Sequence, residues 1–285
     1  LEWKTNQYTR GVYEMIDKIY ITTLGRPNHQ ITFNNLPKRY KDMTTLVVQK
    51  FERKLYDYDC NYLVVDDDIG LGATREIVIK DGGEKKYAIY DDDLIFFRRN
   101  SKYWSGVSNM DKSKREFTDS DFDDMFNTFS QWLDSDITSC SSRLEHLPPM
   151  GKQFNDIVNH YSNFYIDGSK LFQFTDDWDL SYIRDVCEDI HLVLLILTSG
   201  MRNRMSDEFC FKNGSRDKGS LPDTGIWNKT NESVLKMYQQ LSDRWPGLVT
   251  LKYNKKGRFG FPQIRGHYKK AYESSQINTL EEFMQ

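Results

Sequence analysis

The sequence predicts an α+β protein, mostly helical, with a small antiparallel sheet in its N-terminal half. Three observations carry that expectation. Apolar residues recur at helical spacing in several separate stretches. Short β-branched and aromatic runs, broken by Asp and Gly, crowd into residues 62–98. From Ile190 to Leu197 nearly every side chain is a large aliphatic, as in a helix buried on most of its surface.

In chain order, Val12, Met15, Ile16, Ile19 and Tyr20 predict an amphipathic helix over 9–21. Gly25 to Lys41 holds two prolines and the basic residues Arg26, His29, Lys38, Arg39 and Lys41. It reads as a basic loop, either solvated or set against a phosphate backbone. A second helix is expected over Thr44 to Tyr56, burying Leu46, Val47, Phe51 and Leu55. The texture then turns to strand. Ile77-Val78-Ile79-Lys80-Asp81-Gly82-Gly83 followed by Tyr87-Ala88-Ile89-Tyr90 predicts a hairpin. Asp66-Asp67-Asp68 and Asp91-Asp92-Asp93 fall at strand ends. Neighbouring side chains on an extended chain point apart, so solvated acidic turns are the ordinary reading. A magnesium nuclease site is the alternative.

Phe122, Met125, Phe126, Phe129, Trp132 and Leu133 share one face of a helix expected over 117–133, with Ser120 and Asp123 as its cap. Asp134 to Gly151, with its serines and Pro148-Pro149, reads as a linker. Phe154 to Tyr165 is expected to be helical, and another helix opens at Thr175 with acids in its first turn. Lys212 to Asn231 reads as a loop or hairpin. Glu232 to Arg244 reads as a helix burying Val234, Leu235, Tyr238 and Leu241. The expected organisation is an N-terminal region over 1–135 and a second domain over 152–285.

The chain has 285 residues, enough for two domains with cores of their own. A net charge of −3 excludes a uniformly basic protein and leaves room for a local basic face. Four scattered cysteines, with no C-x-x-C and no histidine at zinc spacing, read as reduced thiols. The sequence points to no metal site and no cofactor. No apolar run approaches the ~20 residues that a bilayer demands, so no membrane partner is expected. The chain starts at Leu1 without an initiator Met and reads as a fragment of a cytoplasmic (nucleoid) or nuclear protein.

Charge is distributed unevenly. Lys252, Lys255, Lys256, Arg258, Arg265, Lys269 and Lys270 follow one another without an intervening acid, interleaved with Tyr253, Phe259, Phe261 and Tyr268. This pattern predicts nucleic-acid contact with steep salt dependence, against a merely solvated basic face. Upstream, Arg202 and Arg204 follow the apolar run directly after Gly200. A guanidinium at the rim of a core keeps its charge and requires a partner. Asp207, Glu208 or a phosphate from outside are the candidates.

Thr198-Ser199-Gly200-Met201-Arg202, with Ser206-Asp207 after it, resembles the first arginine motif of tyrosine recombinases and phage-type integrases, T-G-(L/M)-R-x-S-E. Pro262-Gln263-Ile264-Arg265-Gly266-His267 is similar to the second, H-x-L-R-H. The resemblance covers the last third of the chain. It implies a helical catalytic domain in which Arg202 and Arg265 clamp a scissile phosphate, with His267 beside them. Arg204, Lys252, Lys255, Lys256, Arg258, Lys269 and Lys270 would bind the DNA backbone. A lysine among Lys212, Lys218 and Lys229 would serve as general acid, and the tyrosine nucleophile would lie beyond Gln285. The implied function is DNA strand exchange, with DNA as partner and a homo-oligomer assembled on it. The alternative is a non-catalytic DNA-binding or scaffold protein.

Overall fold

Most of the apolar runs in the first half of the chain are strands, and those over Lys18–Thr22, Thr44–Gln49 and Lys86–Asp91 are covered on both faces. The structure, a computed structural model, describes residues 16–100, 114–150, 152–171, 178–214, 231–252 and 263–283. Within these, β1 (Lys18–Thr22), β2 (Thr44–Gln49), β3 (Asn61–Val65) and β4 (Lys86–Asp91) are mutually parallel and lie in the order β3-β2-β1-β4. The sheet continues through β9 (Asn163–Asp167), β7 (Ile137–Leu144), β10 (Arg202–Asn213), β5 (Leu94–Arg99) and β6 (Lys114–Glu116), with β8 (Phe154–Asp156) also paired to β10. That makes a ten-stranded mixed sheet.

Strand periodicity sorts the side chains into two cores. Ile19, Ile21, Leu46, Val48, Ala88, Tyr90 and Tyr165 face one layer, with the short helices α1 (Ile31–Asn35) and α2 (Lys38–Lys41) and the long α4 (Asp119–Leu133). Tyr20, Val47, Tyr87, Ile89, Phe164 and Ile166 face the opposite layer. That layer holds α3 (Gly70–Gly82), α5 (Gly168–Leu171) and α6 (Glu188–Thr198). Leu241 of α7 (Asn231–Arg244), Val249 of β11 (Val249–Lys252) and Ala271 of α8 (Tyr268–Phe283) extend this second core. β11 pairs antiparallel with β12 (Gln263–Gly266) as a separate ribbon.

The expected mostly helical fold with a small antiparallel sheet is therefore corrected. A strand buried on both faces does not alternate, and a short run of it cannot be told from a buried helix by periodicity. Ile19 and Tyr20 sit in β1, and residues 44–49 of the second expected helix are β2, followed by a 3-10 turn over Lys50–Leu55. Residues 77–82, expected as a hairpin strand, are the second half of α3, which Gly83 ends at φ +56. The expected linker contains β7, buried along nearly its whole length. The helix expected over 154–165 is the pair β8 and β9.

Where a true apolar stripe exists, helix and sequence agree. The cap of α4 is Thr118, two residues ahead of the expected Ser120, because the Asp121 carboxylate accepts the Thr118 backbone N–H at 2.8 Å. α6 is apolar all round because the sheet covers one side and α8 the other. Among the described residues no helix is long and apolar enough to cross a membrane. Val12 and Met15 of the first expected helix, and the helix start at Thr175, lie outside the described residues.

Candidate active site

The chain passes from β1 to β2 through α1 and α2 on one face, and from β3 to β4 through α3 on the other. β1 and β4 are therefore the strands between which the connections diverge, and open α/β sheets form their ligand crevice at the carboxyl ends of such strands. A cleft of about 830 Å³ lies there. Its floor is built from strand ends: Thr22 at the end of β1 and Thr23 after it, Val47 and Gln49 on β2, Val65 on β3, and Asp91-Asp92-Asp93 closing β4.

The β1 loop is held rigidly. Gln30 donates to Thr23 Oγ1 (2.7 Å) and to the Arg26 carbonyl (2.9 Å), while Glu52 accepts the Gly25 N–H (2.7 Å). This places Arg26 against Asp92, and within 3.5 Å of Asp93. Asp92 also accepts the Thr23 hydroxyl at 2.6 Å. Burial pushes the Asp92 carboxyl up to about 7 even though Arg26 draws it down. Asp93 accepts from Asn213 at 2.9 Å.

A second charge cluster sits beside the first. Arg75 of α3 is 2% exposed and lies 3.3 Å from both Asp91 and Glu188, over the ring of Phe164. Burial raises Asp91 to about 6, and Arg75 opposes the rise. Asp189, in the first turn of α6, is held well above the usual carboxylate range by burial and by the neighbouring charge of Glu188, with Arg75 again opposing. Glu188 and Asp189 enter the cleft because Cys187 turns the chain with φ +66, a left-handed conformation rare outside glycine. Ser162, also lining the cleft, has φ +34. Backbone strain of this kind is concentrated at functional sites. The approach of α3 to this wall needs glycine at 72, where a Cβ would collide with the carbonyls of Leu180 and Ile183.

The third wall is formed by Asn159 and Tyr161 ahead of β9, and by Ile264, Arg265, Gly266 and Tyr268 of the C-terminal ribbon and α8. Six carboxylates and three guanidiniums thus line the cleft among the described residues. Each member of the 91–93 run is already engaged by Arg75, Arg26, Thr23 or Asn213. Among the described residues no three His, Cys, Asp or Glu side chains converge as a cation site. The run does not by itself fit a metal.

The residues singled out from sequence are scattered. Arg202 pairs with Asp136 and with Asp156 at 2.9 Å. Arg204 grips Asp156 through two bonds of 2.6 and 2.9 Å, against Phe154 and Trp132. Their partner is Asp156, while Asp207 is buried against Arg143 and Arg99 and Glu208 pairs with Arg98. Neither Arg202 nor Arg204 lines the cleft, whereas Arg265 does. The two arginines expected to clamp one phosphate are not brought together. His267 lies 3.2 Å from Thr250 Oγ1, outside the cleft lining. Lys252 is exposed on β11, and Lys269 and Lys270 are exposed on α8. Lys212, on β10, lies over the Phe97 ring of β5. Lys255, Lys256, Arg258, Lys218 and Lys229 lie outside the described residues. Sequence reading missed Thr23, Arg75 and Asp189, and it took Asp91–Asp93 for a solvated turn.

The molecule is an open α/β protein with an acid-lined cleft at the switch point of its sheet. The chain belongs to the TET-Associated Glycosyltransferase family, whose sequence model matches residues 17–212. No curated protein matches it. Among solved structures it is similar to the inositol-1-phosphate CTP transferase from T. maritima, at a TM-score of 0.38 and 11% identity over 80% of this chain and 97% of that one. It is also similar to a UDP-glucose pyrophosphorylase complexed with UDP-glucose, at a TM-score of 0.40 and 12% identity over 79% of this chain and 100% of that one. Superpositions this loose carry no functional weight. The family match does, and it overturns the resemblance to tyrosine recombinases. With that resemblance go DNA strand exchange, DNA integration, DNA as partner, and the DNA-binding scaffold alternative. The motif around Gly200 lies at the turn from α6 into β10, where its arginines serve sheet packing.

Proposed function

We propose that this chain transfers a glycosyl group from a nucleoside-diphosphate sugar to an acceptor hydroxyl, in the cleft at the carboxyl ends of β1 to β4. The observation that carries the reading is the position of that cleft, at the divergence of β1 and β4 in a chain of a glycosyltransferase family. The nucleoside fits the side floored by Thr22, Val47, Gln49 and Val65, where apolar and hydrogen-bonding groups alternate. The diphosphate and sugar then lie over Asp91–Asp93, near Arg26.

In the transfer, the acceptor oxygen forms a bond to the anomeric carbon. The bond from that carbon to the phosphate oxygen breaks, its electron pair leaving on the diphosphate. The acceptor proton passes to a carboxylate. Asp189 suits this role: it lines the cleft, its proton affinity is raised toward neutrality, and among the described residues the bond that it accepts comes from its own helix, from Ile190 N–H at 2.8 Å. Asp92, similarly raised, is committed to Thr23 and Arg26.

The experiment is a thermal-shift and diphosphate-release panel with UDP-, GDP-, CDP- and ADP-sugars, in magnesium, in manganese and in chelator. One nucleotide class is expected to raise the melting temperature and to release its diphosphate. No shift and no release with any of them, in any of the three media, would overturn the reading.

A further inference from the structure

We infer that Arg265 on the C-terminal ribbon is the diphosphate-binding group of the cleft, contributed by a part of the chain beyond the family-matched span. The inference rests on the nucleotide-sugar reading above and assigns one of its subsites.

The family match ends at residue 212, and β11, β12, α7 and α8 all follow it. They are nevertheless anchored to the main body. Trp245 donates its indole N–H to His191 on α6 at 2.8 Å, and Leu241, Val249 and Ala271 belong to the second core. Ile264 and Tyr268 pack against that core on either side of Arg265. The strand register sets Arg265 opposite Thr250. The ribbon is thus held at the cleft wall by packing, with Arg265 at its rim and exposed.

Charge decides what Arg265 does there. Of the three guanidiniums lining the cleft, Arg26 is held by Asp92 and Asp93, and Arg75 by Asp91 and Glu188. Among the described residues Arg265 is paired with no carboxylate, although six line the same cleft. An anionic diphosphate entering past those acids needs a cation with its fork uncommitted. A guanidinium offers two parallel N–H donors to phosphate oxygens. As the glycosyl bond breaks, the electron pair left on the diphosphate adds charge at that point, which a preplaced guanidinium stabilises.

The test compares Arg265→Gln and Arg265→Lys with wild type, by calorimetric titration of UDP, GDP, CDP and ADP and of the matching nucleosides. Lys252→Gln removes an equal charge from the same ribbon outside the cleft and serves as the control. The expected result is a loss of about tenfold or more in diphosphate affinity for Arg265→Gln, with nucleoside affinity unchanged. Arg265→Lys falls between, and Lys252→Gln matches wild type. Equal diphosphate binding by Arg265→Gln and wild type, or an equal loss in Lys252→Gln, overturns the assignment and leaves the glycosyltransferase reading standing. Failure of wild type to bind any diphosphate or nucleoside overturns both.

Discussion

Two identical tripeptides close two parallel strands of one sheet, and they meet opposite fates. Asp66-Asp67-Asp68 follows β3, the sheet edge, while Asp91-Asp92-Asp93 begins on the last residue of β4, beside the switch point. The first run stands in water: Asp66 is 69% and Asp68 79% exposed at the side chain, with Lys50 and Arg184 as surface partners. In the second run Asp92 is 9% exposed, and its neighbours are locked by Arg75, Arg26 and Asn213. Composition is the same, and the strand's place in the sheet sets the environment. A carboxylate at an edge is a solubilising turn, whereas one at the switch point is enclosed by both helical layers and acquires a buried cation.

Substituting the arginines tests that contrast most severely. Arg75→Ala strands the buried Glu188 and the partly buried Asp91, and is expected to cost about 3 kcal/mol or more in urea unfolding. Arg184→Ala, partner of the exposed run, is expected to cost under about 1 kcal/mol. Similar costs for the two would show that the enclosed run is no better integrated than the exposed one.

Next comes chemistry. Asp189→Asn is expected to lower the diphosphate-release rate at least about 100-fold with the preferred donor and acceptor, the usual reach of a lost general base. The triple Asn substitution at 66–68 is expected to leave the rate within about twofold. Full activity in Asp189→Asn would remove the base from α6.

The pH dependence follows in size. Asp91, Asp92 and Asp189 all bind their protons more tightly folded than unfolded, chiefly through burial. Between about pH 4 and 7 the folded state therefore holds more protons, and stability falls as pH rises through that window. Activity moves the other way, rising toward and above neutrality as Asp189 gives up its proton. Melting temperatures and initial rates across pH 5 to 9 check both signs, and parallel curves would contradict the proton assignment. The smallest effect is expected from Asp67→Asn, within about 0.5 kcal/mol at any pH in that range.

The amphipathic stripe of α4, the all-apolar run of α6 and the span of α7 were legible because helical periodicity survives wherever one face is covered, or where length settles an apolar run. β1, β2, β7 and β9 were not legible. In β1, β2 and β9 two buried faces erase alternation, so Ile19 and Tyr20 fit a helical template equally well, whereas the serines of β7 and Pro148-Pro149 beyond it resemble a linker. Of the site, Arg265 drew notice through its motif and the basic run around it, and Asp91–Asp93 through their charge. Arg75 stayed hidden inside a stretch taken for a hairpin.

By itself, then, the sequence determined which segments were apolar, where charge was concentrated and which helices carried a stripe. Only the tertiary structure decided that Arg202 and Arg204 are fastened to Asp156 while Arg265 faces a cleft, and that one aspartate triplet is enclosed while its twin is wet. The reason is physical: a charge takes its role from its partners and its dielectric surroundings, and strand order brings these together from residues as distant as Thr23, Asp92, Asp189 and Arg265.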